Sequence, residues 1–250
     1  MANKSYVIYD GPSLIDGSPI VAIAQVGTGN RKTGAGMVQT WVIRSDIDPI
    51  TASRTGADVS ICGDCPHRGT PTNKASGWAK DRSCYVNLLF APNGVYKAYK
   101  RGAYPVAKGH DAIRAIGLLQ GIRLGSYGDP NAIPNFVWES LTSGADYVTA
   151  YTHGKVNPMP ELIMSSCDNR AMAESAWAKG ERTFRVISEL DQVIKGKEIL
   201  CPASEESREL SGKAITCSMC KLCGGNSVKA KSVAIVAHGA SKRKAKELVQ

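Results

Sequence analysis

Half of the eight cysteines in this 250-residue chain lie between Cys201 and Cys223. Three of them, Cys217, Cys220 and Cys223, follow at steps of three residues in CSMCKLC, and the fourth belongs to the pair Cys201-Pro202. A cysteine in an ordinary core is only a small hydrophobe, so packing gives no reason for such crowding. Thiolates are preferred ligands of soft metals and of iron–sulfur clusters. The pattern therefore predicts a metal centre bound by Cys201, Cys217, Cys220 and Cys223.

The spacing also bears on which metal this group binds. Structural zinc usually takes two separated pairs of ligands, whereas C-x2-C-x2-C with a remote Cys-Pro is closer to bacterial ferredoxin ligation. In two-cluster ferredoxins the Cys-Pro thiolate serves the other cluster, so the spacing does not prove that Cys201 joins the other three. Gly224 and Gly225 have no Cβ and let backbone amides approach the sulfurs closely. We predict a 4Fe–4S cluster, with zinc as the alternative and a disulfide or free thiols as the third interpretation.

A second cysteine group lies between Ile61 and Tyr85. Cys62 and Cys65 form a C-x2-C pair, with His67 close behind and Cys84 farther along. Three thiols and a histidine can complete a zinc site, or three thiols can hold a cluster with one iron left open. An open iron would suit binding of a substrate or of S-adenosylmethionine, although the radical-enzyme signature C-x3-C-x2-C is absent. The alternatives are a redox dithiol and a surface histidine.

The cysteine count allows two sets of four thiolates. Cys167 is the only cysteine outside both motifs, so it is the candidate fourth ligand of the earlier group. The two predicted sets are Cys62, Cys65, Cys84 and Cys167, and Cys201, Cys217, Cys220 and Cys223. One cluster is expected on Cys201, Cys217, Cys220 and Cys223. A further cluster is possible if Cys62, Cys65, Cys84 and Cys167 bind iron as well. The alternative for Cys167 is an unligated residue at a strand end.

Five predicted strands end on residues that can act as ligands or catalysts. These residues are Asp129, His153, Asp168, Cys201 and His238. Each has an ordinary explanation alone, as a helix N-cap or a satisfied turn residue. In a parallel barrel, however, the carboxyl ends of the strands converge on the face where active sites are built. We therefore predict one shared site with Asp129, His153, Asp168 and His238 as its catalytic groups.

Hydrophobic periodicity predicts the elements that position these residues. Strands are expected at Tyr6–Tyr9, Ile20–Gln25, Met37–Arg44, Cys84–Phe90, Gly94–Lys100, Ile122–Leu124, Tyr147–Tyr151, Leu162–Ser165, Thr183–Ile187, Glu198–Leu200 and Val233–Ala237. Helices are expected at His110–Gln120, Asn135–Thr142, Asn169–Lys179 and Ala240–Leu248, and a mobile hairpin loop at Gly27–Gly36. Repeated strand–helix units imply a parallel sheet with right-handed crossovers. The predicted fold is an α/β, TIM-barrel-like domain, complete or partial, with cysteine-rich metal-binding loops. Its expected divisions are a β-rich segment at 1–58, the barrel-like domain at 59–240 and a basic tail at 241–250.

Composition sets the expected partners and location. The net charge of +9, from 31 Lys and Arg against 22 Asp and Glu, suits nucleic acid or another polyanion, or else a solvated basic face. No apolar run is long enough to span a bilayer, and the start of the chain lacks a secretory signal. We therefore expect a cytoplasmic protein without a membrane partner, whose thiols stay reduced.

The segments GSYGDP, AYTHG, SSCD, FRV, CPAS, CSMCKLCGG and AIVAHG together resemble the phage protein family catalogued as gene product eighty-eight. The resemblance covers roughly residues 60–240. The matching positions are Cys84-Tyr85, Gly128-Asp129, Tyr151-Thr152, Cys201-Pro202 and His238-Gly239. Tyr127 stands where the family pattern leads us to expect Ser or Gly, which leaves the role of Asp129 open. The resemblance implies a barrel related to radical-enzyme barrels, a phage source, expression in the cytoplasm of a bacterial host, and metal clusters. It supplies no reaction.

Three functions follow as hypotheses. The first is an iron–sulfur enzyme or redox protein that acts on a small molecule or nucleic acid at the barrel mouth. The second is a zinc-stabilised nucleic-acid-binding protein, which the charge favours. The third is a phage factor that binds a host protein and uses its metals only for structure.

Overall fold

The chain has a mixed α/β fold with two five-stranded sheets. The computed structural model describes residues 4–30 and 33–249. The strands are β1 (Ser5–Pro12), β2 (Pro19–Asn30), β3 (Gly34–Arg44), β4 (Gly121–Tyr127), β5 (Tyr147–Thr149), β6 (Tyr151–Thr152), β7 (Met164–Cys167), β8 (Thr183–Ile187), β9 (Glu198–Leu200) and β10 (Ser232–Val236). The helices are α1 (Pro49–Thr55), α2 (Val59–Cys62), α3 (Ala91–Lys100), α4 (Gly109–Gly117), α5 (Asn135–Thr142), α6 (Arg170–Ala178), α7 (Glu205–Ser211), α8 (Cys217–Cys220) and α9 (Lys242–Leu248).

The first sheet has the order β1-β2-β3-β4-β5, and the second has the order β6-β7-β8-β10-β9. β1, β2 and β3 pair antiparallel, whereas β3, β4 and β5 pair parallel, and every pairing in the second sheet is parallel. β3 belongs to the N-terminal segment, yet it pairs with β4 of the parallel part of the same sheet. The predicted α/β class with parallel strands is confirmed, and the domain division stays a prediction.

A single residue, Ala150, joins the two sheets. It lies between β5 and β6, its N–H donates to the Cys223 carbonyl at 3.1 Å, and its carbonyl accepts from the Met164 N–H at 3.0 Å. β5 pairs with β4 on one side of this residue, and β6 pairs with β7 on the other. The segment 147–152 thus serves both sheets, and all the parallel strands of the two sheets end at the same side of the molecule.

The main hydrophobic core lies under the first sheet. Ile20, Ile23 and Ile43 of the hairpin strands are buried together with Trp138 of α5. The Trp138 indole N–H, which burial would otherwise leave unsatisfied, donates to the Pro130 carbonyl at 2.8 Å. This core fixes α5 and the end of β4, and so positions the turn that carries Asp129.

Most predicted strands and helices are confirmed within one to four residues of their observed limits, and two strands are wrong. No strand forms over Cys84–Phe90, where the Asn87 side chain accepts a hydrogen bond from the Leu89 N–H at 3.0 Å and the chain turns. Gly94–Lys100 belongs to α3, which has a proline in its first turn, where the missing N–H costs nothing. The hairpin loop predicted at Gly27–Gly36 is mostly strand, although residues 31 and 32 lie outside the described part of the chain.

Several short helices were not predicted. Asp48 caps α1 through its side chain, Pro49 opens the helix, and Gly56 ends it in the left-handed conformation. Two cysteine motifs also lie partly in short helical turns rather than in loops, because Cys62 ends α2 and Cys217–Cys220 forms α8. Within the described residues, no helix has the length and apolarity needed to cross a membrane.

Candidate functional site

One cavity of about 400 Å³ collects most of the residues that the sequence indicated. Its walls include alternate residues of the parallel strands, such as Arg123 and Tyr127 of β4, Tyr151 of β6 and Phe184 of β8. Alternate residues of a strand point to the same face of a sheet, so the inner faces of both sheets contribute to this one cavity. Seven of the eight cysteines also line it, namely Cys62, Cys65, Cys84, Cys201, Cys217, Cys220 and Cys223.

The later cysteine group is fixed by backbone hydrogen bonds to both sheets. Cys201 follows β9, and its N–H donates to the carbonyl of Ala234 in β10 at 2.7 Å. The Cys223 carbonyl accepts from Ala150 at 3.1 Å, and the Arg182 guanidinium donates to the neighbouring Leu222 carbonyl at 2.9 Å. The segments that carry these thiols therefore have a defined place on the cavity wall.

The four thiols of this group affect one another electrostatically. Burial raises the pKa of Cys223 to about 12; Tyr151 opposes this rise, and the nearby thiols of Cys201, Cys217 and Cys220 add to it. Burial and Cys217 also raise the pKa of Cys220. Thiols in such a place become thiolates only when a positive partner enters, which is the behaviour of a metal-binding site.

The separation of the sulfurs bears on what this group can hold. Zn–S bonds of about 2.3 Å place tetrahedral thiolates about 3.8 Å apart. Over the described part of the chain, no three cysteine sulfurs lie within 4.8 Å of one another. A cubane cluster binds each thiolate to a different iron, so its ligands stand farther apart than those of one ion. A set of four cysteine thiols can serve either kind of centre.

The earlier cysteine group lines the same cavity. The Cys65 N–H donates to the Cys62 carbonyl at 3.2 Å, and the Cys84 N–H donates to the His67 carbonyl at 3.0 Å. Burial raises the pKa of Cys62 well above its usual range, and Asp58, Cys65, Cys84 and Asp129 raise it further. The three thiols Cys62, Cys65 and Cys84 are therefore neighbours, as their spacing in the sequence suggested.

Cys167 is separated from both groups. It is 2% exposed, packs with Ala173 and Ala176 of α6, and its thiol lies 3.6 Å from the Ser165 carbonyl. The adjacent Ser166 lines the cavity instead. Because side chains alternate along β7, Cys167 faces α6 when Ser166 faces the cavity. The structure thus does not bring Cys167 to the cavity wall where Cys62, Cys65 and Cys84 lie.

The predicted polar residues at the strand ends are brought together in part. The Asp129 carboxylate accepts from the Thr152 hydroxyl at 2.7 Å and from the His153 N–H at 2.8 Å. Asp168 Oδ1 lies 2.9 Å from His67 Nε2 and 3.6 Å from His153 Nε2. The ends of β4, β6 and β7 are therefore linked through carboxylates, and His67 joins them.

Charges in this network shift two pKa values in opposite directions. Burial would lower the pKa of His153, but Cys65 and Asp168 together raise it well above its usual range. Burial would raise the pKa of Asp168, but its contacts with His153 and His67 hold it well below its usual range. A carboxylate with a cationic partner is the favoured state of this pair, so the site favours positive charge.

His238 lies elsewhere on the same cavity wall. Its ring centroid is 5.7 Å from that of Tyr85, and its Nδ1 is 3.3 Å from the Val236 carbonyl. It is close to the exposed Tyr85 rather than to the carboxylates, so the four predicted catalytic residues do not form one hydrogen-bonded cluster.

No protein-family model, curated protein or solved structure matches the chain. The site must therefore be interpreted from its own chemistry.

Arg123 is a wall residue that the sequence reasoning missed. Its guanidinium donates to the Tyr85 hydroxyl at 2.6 Å, while its Nε is buried without a hydrogen-bond partner. Tyr85, and after it Tyr151, Cys217 and Cys223, raise the pKa of Arg123 above its usual value. The sequence did contain a signal for Arg123, because it is a charged residue at an inward position of a predicted strand. Burying a charge is costly unless it is paired and hydrogen-bonded. Arg123 places a permanent positive charge beside two of the thiols.

Proposed function

We propose that this chain is an iron–sulfur protein that binds a 4Fe–4S cluster through Cys201, Cys217, Cys220 and Cys223. The observation that carries the proposal is the convergence of these four thiols on one cavity wall, in a chain whose C-x2-C-x2-C spacing and remote Cys-Pro are closer to ferredoxin ligation than to a zinc knuckle pair. Such a cluster supplies one-electron redox chemistry or, with an open iron, a binding position for a substrate.

The residues around these thiols would affect the charge and the reduction potential of such a cluster. A cluster held by four thiolates carries net negative charge, which the Arg123 guanidinium beside Cys217 and Cys223 would offset. Hydrogen bonds and burial around the sulfurs set the reduction potential of such centres. Tyr151 supplies a hydrogen bond to Cys223, which is itself buried.

The cavity beside the thiols is the proposed reaction space. Aromatic and aliphatic side chains, including Phe184 and Ile235, form part of its wall, while His153 and His238 add polar groups. A mostly apolar pocket with a few convergent polar groups is the usual form of a small-molecule site. The three thiols of Cys62, Cys65 and Cys84 border the same space and, if they bind a second cluster, would leave one iron without a cysteine ligand.

We further propose that the two sheets form a partial barrel around this cavity. The support is that inward residues of strands from both sheets line it, and that Ala150, between β5 and β6, is hydrogen-bonded to Met164 of β7. The resemblance to the phage family, with expression in a bacterial cytoplasm, stays a prediction that agrees with reduced thiols and bound iron.

Anaerobic purification followed by iron and acid-labile sulfide quantitation tests the proposal. We expect a brown protein with about four irons per chain, or about eight if the earlier thiols also bind a cluster. Cys220→Ser should lose most of the iron bound by Cys201, Cys217, Cys220 and Cys223. Cys167→Ala is the matched control and should keep all of it, because this thiol faces α6.

Two outcomes would contradict the proposal. One is a colourless wild-type protein that contains zinc or no metal, which would favour the zinc-stabilised nucleic-acid-binding alternative or a purely structural chain. The other is equal iron loss in Cys220→Ser and Cys167→Ala, which would show that the iron does not depend on the later cysteine group.

A further inference from the structure

His67, His153 and Asp168 form a compact group of ligand atoms that the cysteine sites do not use. One nitrogen from each histidine and one carboxylate oxygen all lie within 4.8 Å of one another, and no other such group is found in the part of the chain that the structure describes. The three residues come from separate elements: the short 3-10 turn at Pro66–Arg68, the end of β6 and the end of β7. The fold, not local sequence, brings them together.

The distances within this group match those between neighbouring ligands of one ion. Bonds of about 2.1 Å place two ligand atoms about 3.0 Å apart at right angles and about 3.4 Å apart at a tetrahedral angle. Asp168 Oδ1 lies 2.9 Å from His67 Nε2 and 3.6 Å from His153 Nε2. Small shifts would bring all three onto a common centre.

Two buried atoms of the group make no hydrogen bond. Asp168 is only 5% exposed, yet its Oδ2 makes no hydrogen bond, and the buried His153 Nε2 makes none either. A buried polar atom without a partner costs roughly 1–3 kcal/mol, so two of them side by side call for an explanation. A cation between them would satisfy both.

A further contact orients His67 for metal binding. His67 is 8% exposed, and its Nδ1 lies 2.8 Å from the hydroxyl of the buried Ser83. When Nδ1–H donates to Ser83, the lone pair of Nε2 points toward Asp168. Metal-bound histidines usually have their other ring nitrogen fixed by such a hydrogen bond.

From this geometry we infer that His67, His153 and Asp168 form a mononuclear site for a divalent first-row metal ion, separate from the cysteine-bound cluster. Two histidines and one carboxylate with open positions form the ligand set that non-haem Fe²⁺ takes, and such ligands also accept Mn²⁺. Because His67 and His153 line the cavity, the open positions of the ion would be available to a molecule bound there.

Manganese binding to the full chain tests this inference. Carboxylate and imidazole suit Mn²⁺, while thiolates suit softer metals, so this ion discriminates against the cysteine groups. Free Mn²⁺ is measured by its electron paramagnetic resonance signal during titration of anaerobically purified protein. We expect one Mn²⁺ to bind saturably per chain.

Variants locate the ion. Asp168→Asn and His67→Gln, each checked for a native circular dichroism spectrum, should weaken Mn²⁺ binding at least about 100-fold, and Ser83→Ala about tenfold. Asp64→Asn is the matched control, because Asp64 is an exposed carboxylate paired with Lys155 at 3.1 Å, and it should keep the wild-type affinity. Cys220→Ser should lose the iron bound by Cys201, Cys217, Cys220 and Cys223 but keep Mn²⁺ binding, so this site and that cluster can fail independently.

The inference is overturned if wild-type protein takes up no Mn²⁺ saturably. It is also overturned if natively folded Asp168→Asn and His67→Gln bind Mn²⁺ as tightly as the Asp64→Asn control does.

Discussion

Gly225 offers a sharp test of how the cysteine segment is positioned. Its φ of +61° is in the left-handed region, and a Cβ there would lie 2.5 Å from the Pro160 carbonyl oxygen and 2.7 Å from backbone atoms of Glu161. The neighbouring Gly224 has a φ of −100°, and a Cβ there would meet the Val228 side chain at 3.1 Å. The two glycines therefore differ in both conformation and space.

The expected cost of Gly225→Ala follows from these two effects. A left-handed non-glycine residue costs roughly 1–2 kcal/mol, and forcing a methyl against backbone costs roughly 1–3 kcal/mol. We expect the free energy of unfolding to fall by about 3 kcal/mol, because the Asn226 and Ser227 N–H groups bond the same two carbonyls at 2.8 and 3.0 Å and resist displacement. Gly224→Ala should cost about 1 kcal/mol, because its φ is ordinary and its two close contacts, the Val228 methyl at 3.1 Å and the Val148 carbonyl oxygen at 3.2 Å, need shifts of only a few tenths of an ångström.

The assay combines urea unfolding with anaerobic iron release to a chelator. Gly225→Ala should lower the urea midpoint and release iron faster than wild type, since Cys223 is two residues away. Gly224→Ala should differ little from wild type in both measurements. Equal behaviour of the two variants would refute the argument, because only Gly225 combines a positive φ with a backbone obstruction.

Three further predictions follow from other contacts. Glu198→Gln should lower the free energy of unfolding by about 3–5 kcal/mol in urea titrations, because it leaves the Arg185 side chain, 5% exposed and 2.7 Å from Glu198, as an unpaired buried charge. The double variant Arg185→Met and Glu198→Met should recover much of this loss, and no recovery would contradict the reasoning. Arg182→Met should speed iron release without changing the initial iron content, because the guanidinium donates to carbonyls on both sides of Cys223 at 2.9 and 2.7 Å. Cys167 should resist alkylation by iodoacetamide at pH 8 in the folded chain, because it is buried. Burial, and after it Asp168, raises the pKa of Cys167 to about 12, so that roughly one thiol in ten thousand is ionised at pH 8. Rapid labelling of Cys167 detected by mass spectrometry would refute this.

Strand ends were the most informative feature of the sequence. The alternation of short apolar runs with polar turn residues predicted that Asp129, His153 and Asp168 follow parallel strands. Hydrogen bonds of Asp129 and the 3.6 Å contact between His153 and Asp168 link those ends. The clustering of Cys217, Cys220 and Cys223 was predictable because their spacing is local. What the sequence could not provide was which distant residue completes each group, since that depends on how strands are ordered in the sheets.

Side-chain alternation explains why Cys167 does not line the cavity. The prediction placed it with the earlier cysteines because it was the only one left over. Within β7, however, Ser166 and Cys167 must face opposite sides, and only one of them can reach the cavity. Knowing which one requires the exact register of the strand, which the sequence pattern MSSC does not fix.

Local turn chemistry explains the two wrong strands. The apolar run ending at Phe90 has the composition of a strand, but the Asn87 side chain bonds the Leu89 N–H and leaves Leu89 and Phe90 exposed. Leu88 is fully buried in the core, and Val86 packs against it while partly exposed. Pro92 then lies in the first turn of α3, and this helix contains Gly94–Lys100, which had been predicted as a strand. Asn and Pro therefore decided the structure here against hydrophobic pattern.

The shared strand segment around Ala150 has a consequence for dissecting the molecule. The chain passes from one sheet to the other at Ala150, whose N–H bonds to the Cys223 carbonyl and which lies three positions before His153. Cleavage of the chain at Ala150 would therefore break the link between the sheets beside both sets of ligands. Splitting the chain there would disturb the thiol wall and the histidine–carboxylate group in one step. Halves of this protein made at that junction should not recover either set of ligands, so its working unit is the pair of sheets together.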